Sequence, residues 1–310
     1  MLCHFNVIMK DTGHVFPGGP PVVKAALGYD ITKEELGGAQ LLAYNGVFDN
    51  VAENEEEAFD IIRRFLGYLP DNVWEMPPRV EPTDDRNRRD EELLSVVPRA
   101  RNEAYDPYEI LNHVLDHDSI FEIAPLSGQS TITALAHVNG YPVGVVIKNR
   151  TSPSGGAMDA VAGEKLIRFL QLCDTFHLPM VHFVDELGFV IGLESEKQGI
   201  VRTAARVVQA IYQTKMPCIS FIVRQLYGVA GGKTLRPGGM VKRYAWPSVD
   251  LGSMNVDNSV TAASHATEVF SIEGIIDPRD TRSLLCDFIE AAQPIVRTQL
   301  GPGAGPGYRP

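Results

Sequence analysis

Basic residues are in short supply. Lysine and arginine number 28 against 39 aspartates and glutamates, a formal charge of −11 over 310 residues. That balance lacks the electrostatic footprint of a nucleic-acid binder and disfavours docking on an anionic membrane. No apolar run is long enough to span a bilayer. The start, Met1-Leu2-Cys3-His4, has neither the basic region nor the apolar stretch of a secretory leader. Cysteine is sparse and scattered: Cys3, Cys173, Cys218 and Cys286 form no Cys-x-x-Cys pair, so no structural zinc site is expected. Cys173 and Cys218 sit within apolar segments and read as small core residues. These absences point to a cytoplasmic or organelle-matrix protein with no nucleic-acid or membrane partner.

What the chain does have is a glycine-rich strand exit. Pro217 to Val223 is a short apolar run with β-branched residues, the pattern of a buried strand. It empties into Tyr227-Gly228-Val229-Ala230-Gly231-Gly232-Lys233-Thr234. Glycine lets backbone amides approach a ligand closely, and loops at the carboxyl ends of strands are where α/β folds bind ligands. Converging amides can hold an oxyanion without any side chain. The ending Gly232-Lys233-Thr234 imitates a phosphate-binding P-loop, but that motif needs four residues between its glycines and only three separate Gly228 from Gly232.

Around this exit the pattern alternates. Thr32 and Glu35 form a capping box ahead of Gly37, and Asn54 to Leu69 reads as a helix with Phe59, Ile62, Phe65 and Leu66 on one face. Asp71 to Asp90, with Pro77, Pro78 and Pro82 and a charged run from Asp84, reads as a solvated connector. Asp106-Pro107-Tyr108-Glu109 starts a helix carrying His113 and His117 on one face, a weak metal signal. Thr131–Val138, Asn139-Gly140 and Tyr141–Ile147 form a hairpin. A helix with Leu166, Phe169, Leu170 and Cys173 follows, then a strand Met180–Val184 that leaves as the loop Asp185-Glu186-Leu187-Gly188-Phe189. A second helix leads to the glycine-rich exit. Polar residues near that strand end, His182, Asp185 and Glu186, are candidates for acid–base chemistry. Strand–loop–helix alternation gives an α/β class. The divisions expected are 1–70, a linker 71–92, a second domain 93–300 and a glycine- and proline-rich flexible tail 301–310.

Several segments together resemble the carboxyltransferase (β) subunits of biotin-dependent acyl-CoA carboxylases of the propionyl-CoA carboxylase type. They include Ile31–Ala39, Phe65–Pro70, Phe121–Ile123, Gly144–Val146, Phe183–Asp185, Gly188-Phe189 and Tyr244–Pro247, in the family's order. The resemblance implies a crotonase-like (ClpP/crotonase, β-β-α superhelix) fold. It also implies transfer of a carboxyl group from carboxybiotin to the α-carbon of an acyl-CoA. The implied cofactor is biotin carried on a partner protein. In such chemistry a biotin ureido oxyanion and a thioester enolate both need preorganised donors. Matched residue by residue, the amides of Val229 and Ala230 would hold the biotin carbonyl, while Tyr227 and Gly228 shape the turn.

The chain departs from the family pattern at Val229 (glycine in the family), Gly232 (aspartate) and Leu187 (proline). Most of the first domain, including its acyl-CoA oxyanion loop, has no counterpart. The resemblance therefore implies residues 1–70 as the closing part of a first domain. The partners it implies are a biotin carboxylase/biotin carrier subunit and a second carboxyltransferase chain in an oligomer. Two alternatives stand beside it: a non-catalytic assembly subunit of such a complex, and a biotin-independent crotonase-type acyl-CoA decarboxylase.

Overall fold

The computed structural model describes residues 3–100, 102–227, 239–252 and 272–303. The expected sites at Gly228, Val229 and Ala230, and residues 304–310 of the expected tail, lie outside the described residues. The centre of the fold is an eight-stranded sheet. Its order is β10 (Gly274–Ile275), β8 (Val241–Ala245), β7 (Cys218–Tyr227), β6 (Met180–Glu186), β5 (Tyr141–Lys148), β4 (Thr131–Val138) and β3 (Phe121–Ile123). β9 (Asp250–Gly252) pairs with β7 beyond the end of β8. β3, β4 and β5 run antiparallel, and β5 through β10 run parallel.

Side-chain alternation divides the sheet between two cores. Ile132, Ala134, Val145, Val181, Phe183, Ile219 and Phe221 face α5 (Pro107–Val114) and α9 (Thr281–Thr298). Leu135, Val146, Met180 and Cys218 face α6 (Ala160–Thr175) and, with it, α8 (Ile200–Gln213). A period of two along each strand produces this split. Both faces are covered, as parallel sheets require. Helix α6 lies close on the strands because Gly144 leaves room: a Cβ there would come within 2.4 Å of Cys173 Sγ.

The hairpin forms as its sequence expects. Asn139 and Gly140 both take positive φ, 50° and 77°, the pattern of a type I′ turn. Its tip is also clamped from outside. The Asp116 carboxylate accepts from the Asn139 and Gly140 amides at 3.0 and 2.8 Å, and Val80 N–H donates to Gly140 O at 2.9 Å.

The amino-terminal residues make a smaller layer. A two-stranded parallel sheet, β1 (Val7–Met9) with β2 (Asn50–Ala52), encloses α1 (Pro20–Leu27), α2 (Lys33–Gly37) and α3 (Ala39–Tyr44) between its strands in sequence. The capping box at Thr32 and Glu35 is present. Helix α4 (Glu55–Leu66) forms within the expected span, and its apolar face is buried only in part. Phe65 is buried and stacks on Phe5 at 4.3 Å, but Phe59, Ile62 and Leu66 are exposed. The helix meets the rest of the described chain along the line of Phe65, so most of its apolar stripe has no described partner.

Three further expectations change. The charged run is not a solvated connector: Arg86 pairs with Asp287 and Glu290, Arg89 with Asp280, and Arg282 Nε donates to Asp85 O at 2.7 Å. Opposite charges on α9 turn the run into a strap. His113 and His117 do not share a helix face, because α5 stops at Val114; His113 Nδ1 lies 2.8 Å from Asp90, and His117 contacts Arg88. Among the described residues no cluster suited to a metal ion is present, and no helix is long and apolar enough to cross a membrane. The start of the expected tail is held: Gly301 N–H donates to Val73 O at 2.7 Å.

Candidate active site

The carboxyl ends of β5, β6 and β7 lie side by side, and the charged residues there are buried. β6 does not end at Val184. It continues through Asp185 and Glu186, which were expected in a loop, and both side chains are buried. The strand extends because partners from neighbouring strands neutralise its two acids. Burial of an unpaired carboxylate would cost several kcal/mol.

Asp185 is the hub. Its Oδ2 accepts from Arg224 Nη2 at 2.9 Å, Arg224 Nε at 3.2 Å and the Tyr105 hydroxyl at 3.1 Å. Arg150 Nε stands 3.5 Å away. The register between β6 and β7 shifts between Val184 and Glu186, and the Gln225 N–H within that irregular stretch is satisfied by Asp185 Oδ1 at 3.1 Å. One carboxylate thus serves as counterion for two arginines and as acceptor for a strand amide. Arg224 also lies over the Tyr105 ring at 4.8 Å. Burial, then the Asp185 charge, raises the Tyr105 phenol well above its ordinary range, so it stays a donor. Burial lowers the Arg150 guanidinium, with Asp185 opposing the change.

Glu186 forms the second node. Lys148, the last residue of β5, places Nζ 3.2 Å from Glu186 Oε2 and donates to Thr131 Oγ1 at 3.0 Å. Glu186 Oε1 accepts the Gly188 N–H at 3.0 Å. Burial raises the Glu186 carboxyl, with Lys148 pulling the other way. His182 is pushed down to about 3, first by burial and then by the charges of Lys148 and Arg243. It is a neutral imidazole within the sheet. Of the three acid–base candidates, two are consumed in ion pairs and the third is sealed, so none is placed to exchange protons with a substrate.

The loops above these strand ends are tied together. Met158, at the end of the small-residue loop after β5, donates N–H to Gly188 O and accepts from Val190 N–H, both at 2.9 Å. Tyr227, expected to shape the glycine-rich turn, is the last described residue before it. Its ring is buried and its hydroxyl donates to Asp250 Oδ2 at 2.5 Å. β9 runs beside it, with Tyr227 opposite Gly252. The exit of β7 is therefore fixed by side chain and backbone together. The sequence pointed to Tyr227 but not to Asp250, Arg150, Arg224 or Tyr105. These residues are separated along the chain, and only strand order brings them together.

Comparison with known proteins agrees with this architecture. Residues 1–293 match the carboxyl transferase domain family. The chain is 36% identical over 264 residues to the carboxyltransferase subunit of propionyl-CoA carboxylase from Haloferax mediterranei, covering 84% of this chain and 50% of that protein. It is 32% identical to the mitochondrial propionyl-CoA carboxylase beta chain of Homo sapiens, covering 92% of this chain and 57% of that one. The transcarboxylase 12S structure with hydrolysed methylmalonyl-coenzyme A superimposes with a TM-score of 0.88 at 27% identity, over 99% of this chain and 63% of that one. The chain thus spans between half and two thirds of the length of these relatives. With a family match running nearly from end to end and a fold shared with transcarboxylase 12S, the chain belongs to the carboxyl transferase domain family and has its crotonase-like α/β fold.

Proposed function

We propose that this chain is a carboxyltransferase component of a biotin-dependent acyl-CoA carboxylase, with a second chain completing its site. The observation that carries this reading is the anchored exit of β7, where Tyr227 is bonded to Asp250 directly before the glycine-rich loop. The glycine-rich sequence after Tyr227 suits close approach of a biotin carbonyl. Asp185 is ion-paired to Arg224 and Glu186 to Lys148, and backbone amides suit a carbonyl oxygen that gains negative charge. On the family pattern, those of Val229 and Ala230 would hold the carbonyl. Bound carboxybiotin supplies the activated carboxyl group.

The chain's own contribution is rigidity. The ion-paired strand ends hold the loops at fixed spacing, so that donors need not reorganise as negative charge develops. Asp185 and Glu186 position the strands that carry the loops and do not touch the reacting atoms. Residues 1–70 are read as the closing part of a first domain and 93–300 as the second, joined by the strap at 71–92. The biotin carrier and the chain supplying an amino-terminal half are the partners that complete the assembly.

The test is a carboxylation assay with radiolabelled bicarbonate and propionyl-CoA. The purified chain alone is expected to be inactive, and activity is expected on adding an amino-terminal-half carboxyltransferase chain and a biotin carboxylase/carrier pair. Activity of the chain by itself would overturn the need for a second chain. Absence of saturable biotin binding in the full complex would favour a non-catalytic assembly role.

A further inference from the structure

A cavity of about 380 Å³ lies between the amino-terminal layer and α6, within the range of small-molecule sites. One wall is a face of α6, with Val161, Lys165 and Leu172; the opposite wall comes from Asn45 and Val47, and Ile123 lies at the end of β3. It shares no lining residue with the ion-paired strand ends.

Lys165 sets this cavity apart. The side chain is 8% exposed, yet no described carboxylate comes within 4.0 Å of its ammonium. Its Nζ makes one hydrogen bond, to Ser127 O at 3.1 Å, on a residue that also lines the cavity. Two of its three protons are unspent. The acids around it are already engaged. Asp49 takes Arg168 on both oxygens, at 2.6 and 2.8 Å; Glu122 accepts the Tyr108 hydroxyl; Asp159 caps α6 through Ala162 N–H at 2.7 Å. A buried ammonium without a counterion is costly, and buried charges are normally paired. These acids act on the ammonium only from a distance, and the cavity beside it has a mixed lining in which Val47, Ile123, Val161 and Leu172 supply the apolar part.

We propose that this cavity is a binding site for a small monocarboxylate with an aliphatic chain, its carboxylate ion-paired to Lys165 and its chain packed on Val47, Ile123, Val161 and Leu172. The charge-assisted hydrogen bond and the transfer of each methylene onto the apolar part of the lining both favour such a ligand. The pH dependence follows from the same group. Burial brings Lys165 down to about 8, with Glu122, Asp49 and Asp159 opposing the change. The other charged or titratable lining groups are His4, lowered by burial; Arg168, held by Asp49; and Glu164, paired with Arg206. The ammonium is mostly charged at pH 7 and loses its charge as pH rises through about 8.

Isothermal titration calorimetry of the full chain with sodium butyrate, 1-butanol and butylammonium chloride tests this. Butyrate should saturate with a Kd of about 1 mM at pH 7, at least about tenfold tighter than either other probe. Lys165→Met should weaken butyrate about tenfold or more, Lys165→Arg should retain it within a few-fold, and affinity should fall about tenfold per pH unit above pH 8. Val161→Trp, at a half-exposed position on the cavity wall, should block butyrate without touching the ammonium, so the site is testable even if Lys165→Met does not fold. Equal binding of butyrate and butanol would reduce the cavity to an apolar void. Unchanged butyrate affinity in Lys165→Met, or no saturation by butyrate, would overturn the site.

Discussion

Asp185→Asn is the most incisive test of the strand-end arrangement. Asparagine preserves the shape and can still accept from Gln225 N–H, so the loss is chiefly of charge. The wild-type carboxylate faces Arg224 at 2.9 Å and Arg150 at 3.5 Å, and it is fully buried. Its neutralisation leaves two guanidinium groups at the site without that counterion. Breaking a buried pair by removing one partner typically costs about 3–5 kcal/mol. With an unfolding entropy of about 2.1 cal/mol/K per residue, the 310-residue chain changes its midpoint by about 1.5 °C per kcal/mol. The expected fall in Tm is therefore about 5–8 °C by calorimetry, with a matching fall in the urea midpoint. Adding Arg224→Met should recover at least about 1 kcal/mol relative to the sum of the single changes, because contacting charges are coupled. A Tm change under about 2 °C for Asp185→Asn would refute the view that this carboxylate neutralises the strand ends.

Two other outcomes follow from the core. His182 is neutral when folded, at about 3, against an ordinary value of 6.5, so the unfolded chain binds more protons between those values. Its contribution to stability is present above pH 6.5 and is lost as pH falls, by up to about 1.4 kcal/mol per unit, and urea denaturation of His182→Gln should show a correspondingly shallower acid limb. Gly144→Ala places a methyl 2.4 Å from Cys173 Sγ and 2.8 Å from Met180 Sδ, so equilibrium denaturation should register a loss of about 1–3 kcal/mol from overpacking.

Local chemistry was legible in the sequence. The capping box at Thr32, the Asn139-Gly140 turn, the Asp106 cap and the strand before Tyr227 depend on residues within a few positions of one another, and each is present. The family resemblance supplied the class of fold. What was not legible depends on partners far along the chain. Asp185 and Glu186 looked like a loop because charge usually ends a buried strand; Arg150, Arg224 and Lys148 reverse that by neutralising them in place. The stripe on α4 has helical period, but period does not say whether another layer covers it. Phe59 and Leu66 are more than half exposed while Phe65 is buried. Lys165 was invisible as a ligand-binding residue, since on a helix containing Leu166, Phe169 and Leu170 it reads as an ordinary solvated position.

The strap formed by the charged run carries a consequence for the order of assembly. Arg86 meets Glu290 across 204 residues, and Asp85 O meets Arg282 across 197. Contacts of such sequence separation carry a large loop-closure entropy and are slow to form. During synthesis the strap leaves the ribosome long before α9 exists, so it waits while the sheet between them is built. Its acids and arginines, both signs within seven residues, keep that waiting segment hydrated and unattractive to other chains. Docking of α9 then closes the molecule, and the strap is the seam that records completion of the carboxyl-terminal half.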